Sequence, residues 1–216
     1  MTEPLDEPSG ERERTVAARK RELRRRVLAA RLDSARLATG TAGCAARLAA
    51  AAGAHFSAHG WPSAVAAYLS IGTEPETRPL IEVIAERGAR VIVPVLRPDG
   101  DLDWARYTPG SDLVPGSRGT VQPTSPTLGV EAICAVDVMF VPALAVDHAG
   151  RRLGRGGGSY DRALAKVRAA GSPVLVIAVV HDDEVLDLVP TAAHDQPVDA
   201  ALTPSGLARL HRDTPS

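Results

Sequence analysis

The residues best suited to chemistry stand together between positions 151 and 162. They read Arg151-Arg152-Leu153-Gly154-Arg155-Gly156-Gly157-Gly158-Ser159-Tyr160-Asp161-Arg162, directly after the apolar run Val141-Pro142-Ala143-Leu144-Ala145-Val146-Asp147. A strand feeding a basic, glycine-packed loop that opens into a helix is built to hold phosphate. Glycines let backbone N–H groups approach an anion closely, arginines add charge, and the helix N-terminus adds a positive partial charge. The spacing Gly154-x-Gly156-x-Gly158 is not the dinucleotide fingerprint, and no Gly-Lys-Ser/Thr of a P-loop occurs. Glycine content alone fits a tight strand-to-helix turn equally well. Arg152 and Arg155 favour an anion site, because a structural turn has no need of guanidinium groups. Asp161 has two readings: an acid that complements the helix dipole, or a Mg²⁺ ligand beside phosphate oxygens.

The elements that must position this loop follow from patterning. Residues 1–15 are rich in Pro, Glu and Arg and read as a disordered leader, followed by one α/β domain over 16–212. Val16, Leu23, Val27 and Ala30 recur at helical spacing, and an alanine-rich helix is expected from about Ala35 to Ala52, stopped by Gly53. Strands are expected at 63–71, 90–96, 136–146, 174–180 and 198–202, with 102–107 returning antiparallel after the turn Pro98-Asp99-Gly100. Helices are expected from Thr77-Arg78-Pro79 to Gly88, over 160–170, and over 206–212. The Pro-, Gly- and Ser-rich stretch 108–127 reads as a long functional loop. Alternating strands and helices predict a three-layer α/β/α fold, an open and mostly parallel sheet with helices on both faces. Ligands in such sheets sit at the carboxyl ends of strands, which directs attention to the loops after Ile71, Val146 and Val180.

Bulk properties exclude several classes. The chain has 216 residues, 44% hydrophobic, 24% charged, with a formal net charge of −1, so no basic excess points to nucleic acid or to a membrane surface. Aromatic residues make up 3%, too few for a base-stacking platform. Cys44 and Cys134 make no metal spacing and suit a reducing, cytoplasmic setting, and no apolar run reaches the ~20 residues of a membrane span. The six histidines form no metal pattern, although His194 adjoins Asp195.

The glycine-loop region resembles the signature of the 5-formyltetrahydrofolate cyclo-ligase family. The matching residues are Pro142-Ala143-Leu144-Ala145-Val146-Asp147 and then Arg152-Leu153-Gly154-Arg155-Gly156-Gly157-Gly158-Ser159-Tyr160-Asp161-Arg162. Lys20-Arg21-Glu22-Leu23-Arg24, Leu69-Ser70, Glu74, Glu76-Thr77, Gln122-Pro123, Asp195 and Asp199 match further family segments in order. The resemblance implies an enzyme that closes 5-formyltetrahydrofolate to 5,10-methenyltetrahydrofolate, with ATP as co-substrate, Mg²⁺ as cofactor, and ADP and phosphate as products. It implies small-molecule partners only and a monomer or weak homodimer.

Site roles follow from the same resemblance. Lys20 and Arg24, one helical turn apart, would bind ATP with Arg152, Leu153, Gly154, Arg155, Gly156, Gly157, Gly158, Ser159 and Tyr160. Lys20 and Arg155 would act in catalysis, Arg155 meeting the migrating phosphate charge. Leu69, Glu74, Arg155, Ser159 and Tyr160 would border the folate. Asp161 and Asp195 would hold Mg²⁺. The chain departs from the family pattern on the folate side, with Ser159 at a usually aromatic position, Val146 in place of Phe, and an altered run Val179-Val180-His181-Asp182. Two alternatives therefore stay open: a divergent member acting on another acylated amine, and a non-catalytic folate or nucleotide binder.

Overall fold

The computed structural model describes residues 9–37 and 41–211. In chain order the elements are α1 (Ser9–Leu37), α2 (Thr41–His59), β1 (Ala64–Ala66), α3 (Arg78–Glu86), β2 (Arg90–Leu96), β3 (Leu102–Tyr107), β4 (Leu113–Pro115), β5 (Val121–Pro123), β6 (Val138–Pro142), β7 (Ala145–Asp147), β8 (Arg152–Leu153), α4 (Ser159–Ala169), β9 (Leu175–Val179), β10 (Val185–Leu186), β11 (Ala200–Thr203) and β12 (Gly206–Arg209). Seven strands form the main sheet in the order β12-β11-β9-β6-β1-β2-β3. The five central strands run parallel, and β3 and β12 close the edges antiparallel. Two small sheets, β10-β7-β8 and the β4–β5 hairpin, are separate.

The period-2 rule of strands explains the layers. Val65, Val91, Val138, Phe140, Ile177 and Val179 face Leu48, Ala52 and Phe56 of α2 and Leu80, Ile81 and Ile84 of α3. Their neighbours Ile92, Met139, Val141, Val176 and Ala178 face Ala163, Leu164 and Val167 of α4. Both faces of the sheet are thus covered by helices, as the alternation of elements predicts. Helix α1 does not pack on the main sheet: Leu23, Val27 and Leu28 join Leu144, Leu153, Leu186 and Val189 of the small β10-β7-β8 layer.

Several expectations are corrected. The predicted leader is already helical from Ser9, with Arg14 and Thr15 bonding back one turn to Gly10 and Glu11; residues 1–8 lie outside the described residues. The second helix runs seven residues past Ala52. Gly53 does not stop it: it lies inside α2 beside Val83 of α3 and Trp61, where a Cβ would make ordinary contact at 3.8 Å. The chain turns instead at Gly60, whose φ is +103°. The apolar stretch 63–71 pairs in the sheet only over three residues, and its remainder bends into the site. The stretch 136–146 breaks after Pro142, so that Ala145–Asp147 leaves the main sheet for the small one. Segment 108–127 contains the β4–β5 hairpin. The expected closing helix over 206–212 is a strand, paired to β11 through a two-residue hairpin at Pro204-Ser205; residue 212 lies outside the described residues.

Candidate active site

The chain order leaves β1 in one direction for β2 and in the other through β6 and β9, so the sheet reverses between β1 and β6. A crevice opens at such a reversal, beyond the carboxyl ends of the two strands. Here it is a cleft of about 270 Å³. The loop after β1 contributes Tyr68, Leu69 and Glu74, the segment after β6 contributes Arg152 and Gly154–Asp161, and β2, β3 and the β4–β5 hairpin supply Pro94, Leu96, Leu102, Arg118 and Val121. One wall is polar and glycine-rich and the other mainly apolar. The loop after β9 lines an adjoining cavity of about 810 Å³ instead, sharing Glu74 with the cleft and placing Cys44 Sγ 3.8 Å from His181 Nδ1.

The glycine loop takes its shape from φ values open to glycine. Gly156 is at +103° and Gly158, which precedes α4, at +70°. No side chain caps the N-terminus of α4, so its first backbone N–H groups face the cleft region with the helix dipole behind them. A Cβ on Gly156 would lie 3.6–3.8 Å from the Arg24 guanidinium. Arg24 Nε donates to the Gly154 carbonyl at 2.8 Å, and Lys20, one turn earlier, pairs with Asp195. The face of α1 marked by Lys20 and Arg24 therefore backs the glycine loop, and both residues are held in place. Lys20 is only 7% exposed, despite its setting in a strongly basic helix.

Most of the polar groups predicted for the site meet in this region. Arg152, nearly buried, donates from Nη2 to Asp161 Oδ1 at 2.6 Å, while its Nε has no hydrogen-bond partner. The same Asp161 oxygen accepts the Gln196 N–H at 3.2 Å, which ties the segment after Asp195 to the start of α4. Arg155 Nε lies 3.1 Å from Glu74 Oε1, bridging the glycine loop to the loop after β1. Glu74 also accepts the Ile71 N–H, and its burial raises the carboxyl pKa above the usual value against the lowering influence of that bond and of Arg155. Burial likewise raises the Tyr68 and Tyr160 hydroxyls, which keeps both neutral donors. Ser159 turns its hydroxyl to the Gly100 carbonyl at 2.6 Å, so it anchors α4 to the β2–β3 turn while lining the cleft. Leu153 is the one loop member directed away, into the cluster beneath α1.

The two carboxylates expected to hold Mg²⁺ each keep one oxygen engaged. Asp161 uses Oδ1 for Arg152 and Gln196, and Asp195 uses Oδ2 for Lys20 and the Ala192 N–H. Among the described residues, Asp161 Oδ2 and Asp195 Oδ1 accept no hydrogen bond, and no group of three ligating side chains gathers. Two such oxygens fit a cation that brings its own phosphate and water ligands, the usual habit of Mg²⁺, and not a closed protein cage.

Three groups escaped the sequence reading. Arg31 forms a buried fork with Glu184 at 2.6 and 2.8 Å and donates to the Ala143 carbonyl, clamping α1 across both cavities. Nothing in a basic helix distinguishes it from its solvated neighbours. Asp147, fully buried, accepts from the Ala149, Arg151 and Val189 N–H groups and pairs with Arg151, fixing the turn before the glycine loop. Arg118 reaches the cleft from the hairpin, where an Arg-Gly pair in a Pro/Gly/Ser-rich stretch was the available signal.

Residues 16–204 match the model of the 5-formyltetrahydrofolate cyclo-ligase family. The chain is similar to the 5-formyltetrahydrofolate cyclo-ligase of Mycolicibacterium smegmatis, 46% identical over 145 residues, covering 65% of this chain and 73% of that protein. The Escherichia coli cyclo-ligase is 36% identical over 143 residues, covering 65% and 78%. Among solved structures, the 5,10-methenyltetrahydrofolate synthetase of Aquifex aeolicus aligns with a TM-score of 0.69 at 28% identity, over 91% of this chain and 95% of that one. The Mycoplasma pneumoniae synthetase shares the fold, with a TM-score of 0.66 over 86% and 98% of the two chains at 17% identity. These proteins share the fold, and with residues 16–204 matching the family model, the chain belongs to the 5-formyltetrahydrofolate cyclo-ligase family.

Proposed function

We propose that the protein closes 5-formyltetrahydrofolate to 5,10-methenyltetrahydrofolate, using Mg·ATP and releasing ADP and phosphate. The observation that carries this reading is the gathering of Arg24, Arg152, Arg155 and the uncapped α4 N-terminus on one glycine loop, with Lys20 one turn before Arg24 and paired to Asp195, across a cleft from an apolar wall. The polar wall suits a polyphosphate and the apolar wall a reduced pterin with its aryl ring. The formyl oxygen leaves poorly until it carries the transferred phosphoryl group; N10 then attacks the formyl carbon, the ring closes and phosphate departs. Bound Mg²⁺, held through Asp161 and Asp195, would neutralise phosphate charge. Arg155, half exposed and tethered only to Glu74, is free to follow the charge as it migrates. Arg152 and Lys20 fix the anion's position, and Glu74 with Tyr68 and Leu69 orients the pterin. The work of the protein is positioning and charge stabilisation.

The two free thiols suit a cytoplasmic setting, and among the described residues no helix is long and apolar enough to cross a membrane. Mixing protein, Mg·ATP and 5-formyltetrahydrofolate is expected to develop the methenyl chromophore with one ADP formed per product. ATP binding without chromophore would overturn the reading and point to another acylated amine.

A further inference from the structure

Three arginines line the cleft, and two are committed: Arg152 to Asp161 and Arg155 to Glu74. Arg118 has no ion pair or hydrogen bond among the described residues. It sits at the tip of the β4–β5 hairpin with one guanidinium nitrogen 3.6 Å from where a Gly157 Cβ would stand, so it faces the glycine loop from the opposite wall.

Its backbone is unusual. Arg118 has φ +53° and ψ +34°, the left-handed region, and is the one residue other than glycine with positive φ among the described residues. Gly119 follows at φ +76°, so both central residues of the turn Ser117–Thr120 are left-handed, as a type I′ hairpin turn requires. Asn, Asp or Gly is the favoured first central residue of that turn; arginine is strained there. The surroundings hold it nonetheless. Gly116 N–H donates to the Thr120 carbonyl at 2.8 Å, Thr120 N–H and hydroxyl donate to the Ser117 carbonyl, and the Ser117 hydroxyl reaches the Leu96 carbonyl of β2. Strain of this kind, held by its surroundings with a free charge aimed into a cleft, marks a position where the side chain can serve function.

We infer that Arg118 contacts an oxyanion of the bound substrates, across from the glycine loop. This rests on the function proposed above, which offers two such oxyanions: the glutamyl carboxylates that trail from the aryl end of the folate, and the outer phosphate of the nucleotide. The test titrates wild-type and R118A proteins with Mg·ATP, with 5-formyltetrahydrofolate, and with 5-formyltetrahydropteroate, which lacks the glutamyl group. One ligand is expected to bind about tenfold more weakly to R118A, the loss of one charge-assisted contact. Weakening of the formyl folate but not of the pteroate assigns the carboxylate; weakening of Mg·ATP alone assigns the phosphate. R118K should recover part of the affinity. R118G should raise the Tm by relieving the turn while binding as weakly as R118A. Unchanged dissociation constants for all three ligands would overturn the inference. Missing chromophore with the R118A effect intact would overturn only the proposed reaction, and a wild-type protein that binds none of the three would overturn both.

Discussion

The two walls of the cleft are built on opposite plans. On the glycine-loop side almost every charge is already matched: Lys20 with Asp195, Arg152 with Asp161, and Arg24 with the Gly154 carbonyl, all buried or partly buried. Toward the hairpin the charges are sparse and looser: Arg118 has no ion pair among the described residues, and the half-exposed Arg155 reaches out of the glycine loop to Glu74. The first wall is rigid before any ligand arrives, and a preorganised wall is what a dense polyphosphate charge requires. The second has room to adjust to a larger, mostly apolar partner. Stability should therefore be concentrated in the first wall and ligand selectivity in the second.

Breaking the rigid wall should have the largest effect. Lys20→Ala strands a nearly buried Asp195, a loss of about 3–5 kcal/mol, and should lower the Tm by roughly 10 °C while abolishing turnover. Replacing both partners, Lys20→Met with Asp195→Leu, should restore much of the Tm but none of the activity; equal loss of both in the double variant would show that the pair has no separable role in binding. Next comes Gly156→Ala. At φ +103° alanine is strained by ~1–2 kcal/mol, and its methyl meets Arg24, so the KM for ATP should rise about 5- to 30-fold with the folate KM unchanged.

The looser wall should answer to pH. The Glu74 carboxyl is raised by burial, so the folded state holds its proton more tightly than the unfolded chain does. The stability it contributes is present below the ordinary carboxylate value and is lost as pH rises through the folded value. Glu74→Gln should therefore raise the Tm at pH 7 by about 2–4 °C, the response of a chain this size to ~1 kcal/mol, with the gain vanishing near pH 4. A gain that persists at acidic pH would contradict the burial effect. The smallest change is expected from Ser159→Tyr, which adds an aromatic surface to the cleft but gives up the bond to Gly100. Folate affinity should improve about two- to threefold through apolar burial, with the KM for ATP unmoved.

What could be read in the sequence was local. The helix opened by Pro79, the hairpin of 90–96 with 102–107, and the loop-to-helix junction at 158–161 each announce themselves within a dozen residues, through period, turn chemistry or glycine placement. Arg152 and Arg155 are legible as anion-binding residues in the loop itself, Leu69 and Glu74 only through the family resemblance, and the topology brings all four to the same crevice. What escaped was long-range or ambiguous. Arg31 and Glu184 are 153 residues apart, and nothing near either one marks a buried fork. Gly53 looks like a helix stop until α3 is seen packed on it. Residues 206–209 are too few to show a period, and their pairing with β11 decides the matter. Tertiary context also shortened β1 to three residues, because the chain leaves the sheet to carry Tyr68 and Leu69 to the cleft.

Helix α1 has a consequence for how the molecule comes into being. Its polar attachments include bonds across 175, 130, 153 and 112 residues, to Asp195, Gly154, Glu184 and Ala143. During synthesis α1 is made before each of these partners and must wait, undocked, until the chain has passed Asp195, beyond most of the sheet. The glycine-loop wall is then among the last parts of the fold to assemble, since Lys20 and Arg24 cannot close on it until α1 docks.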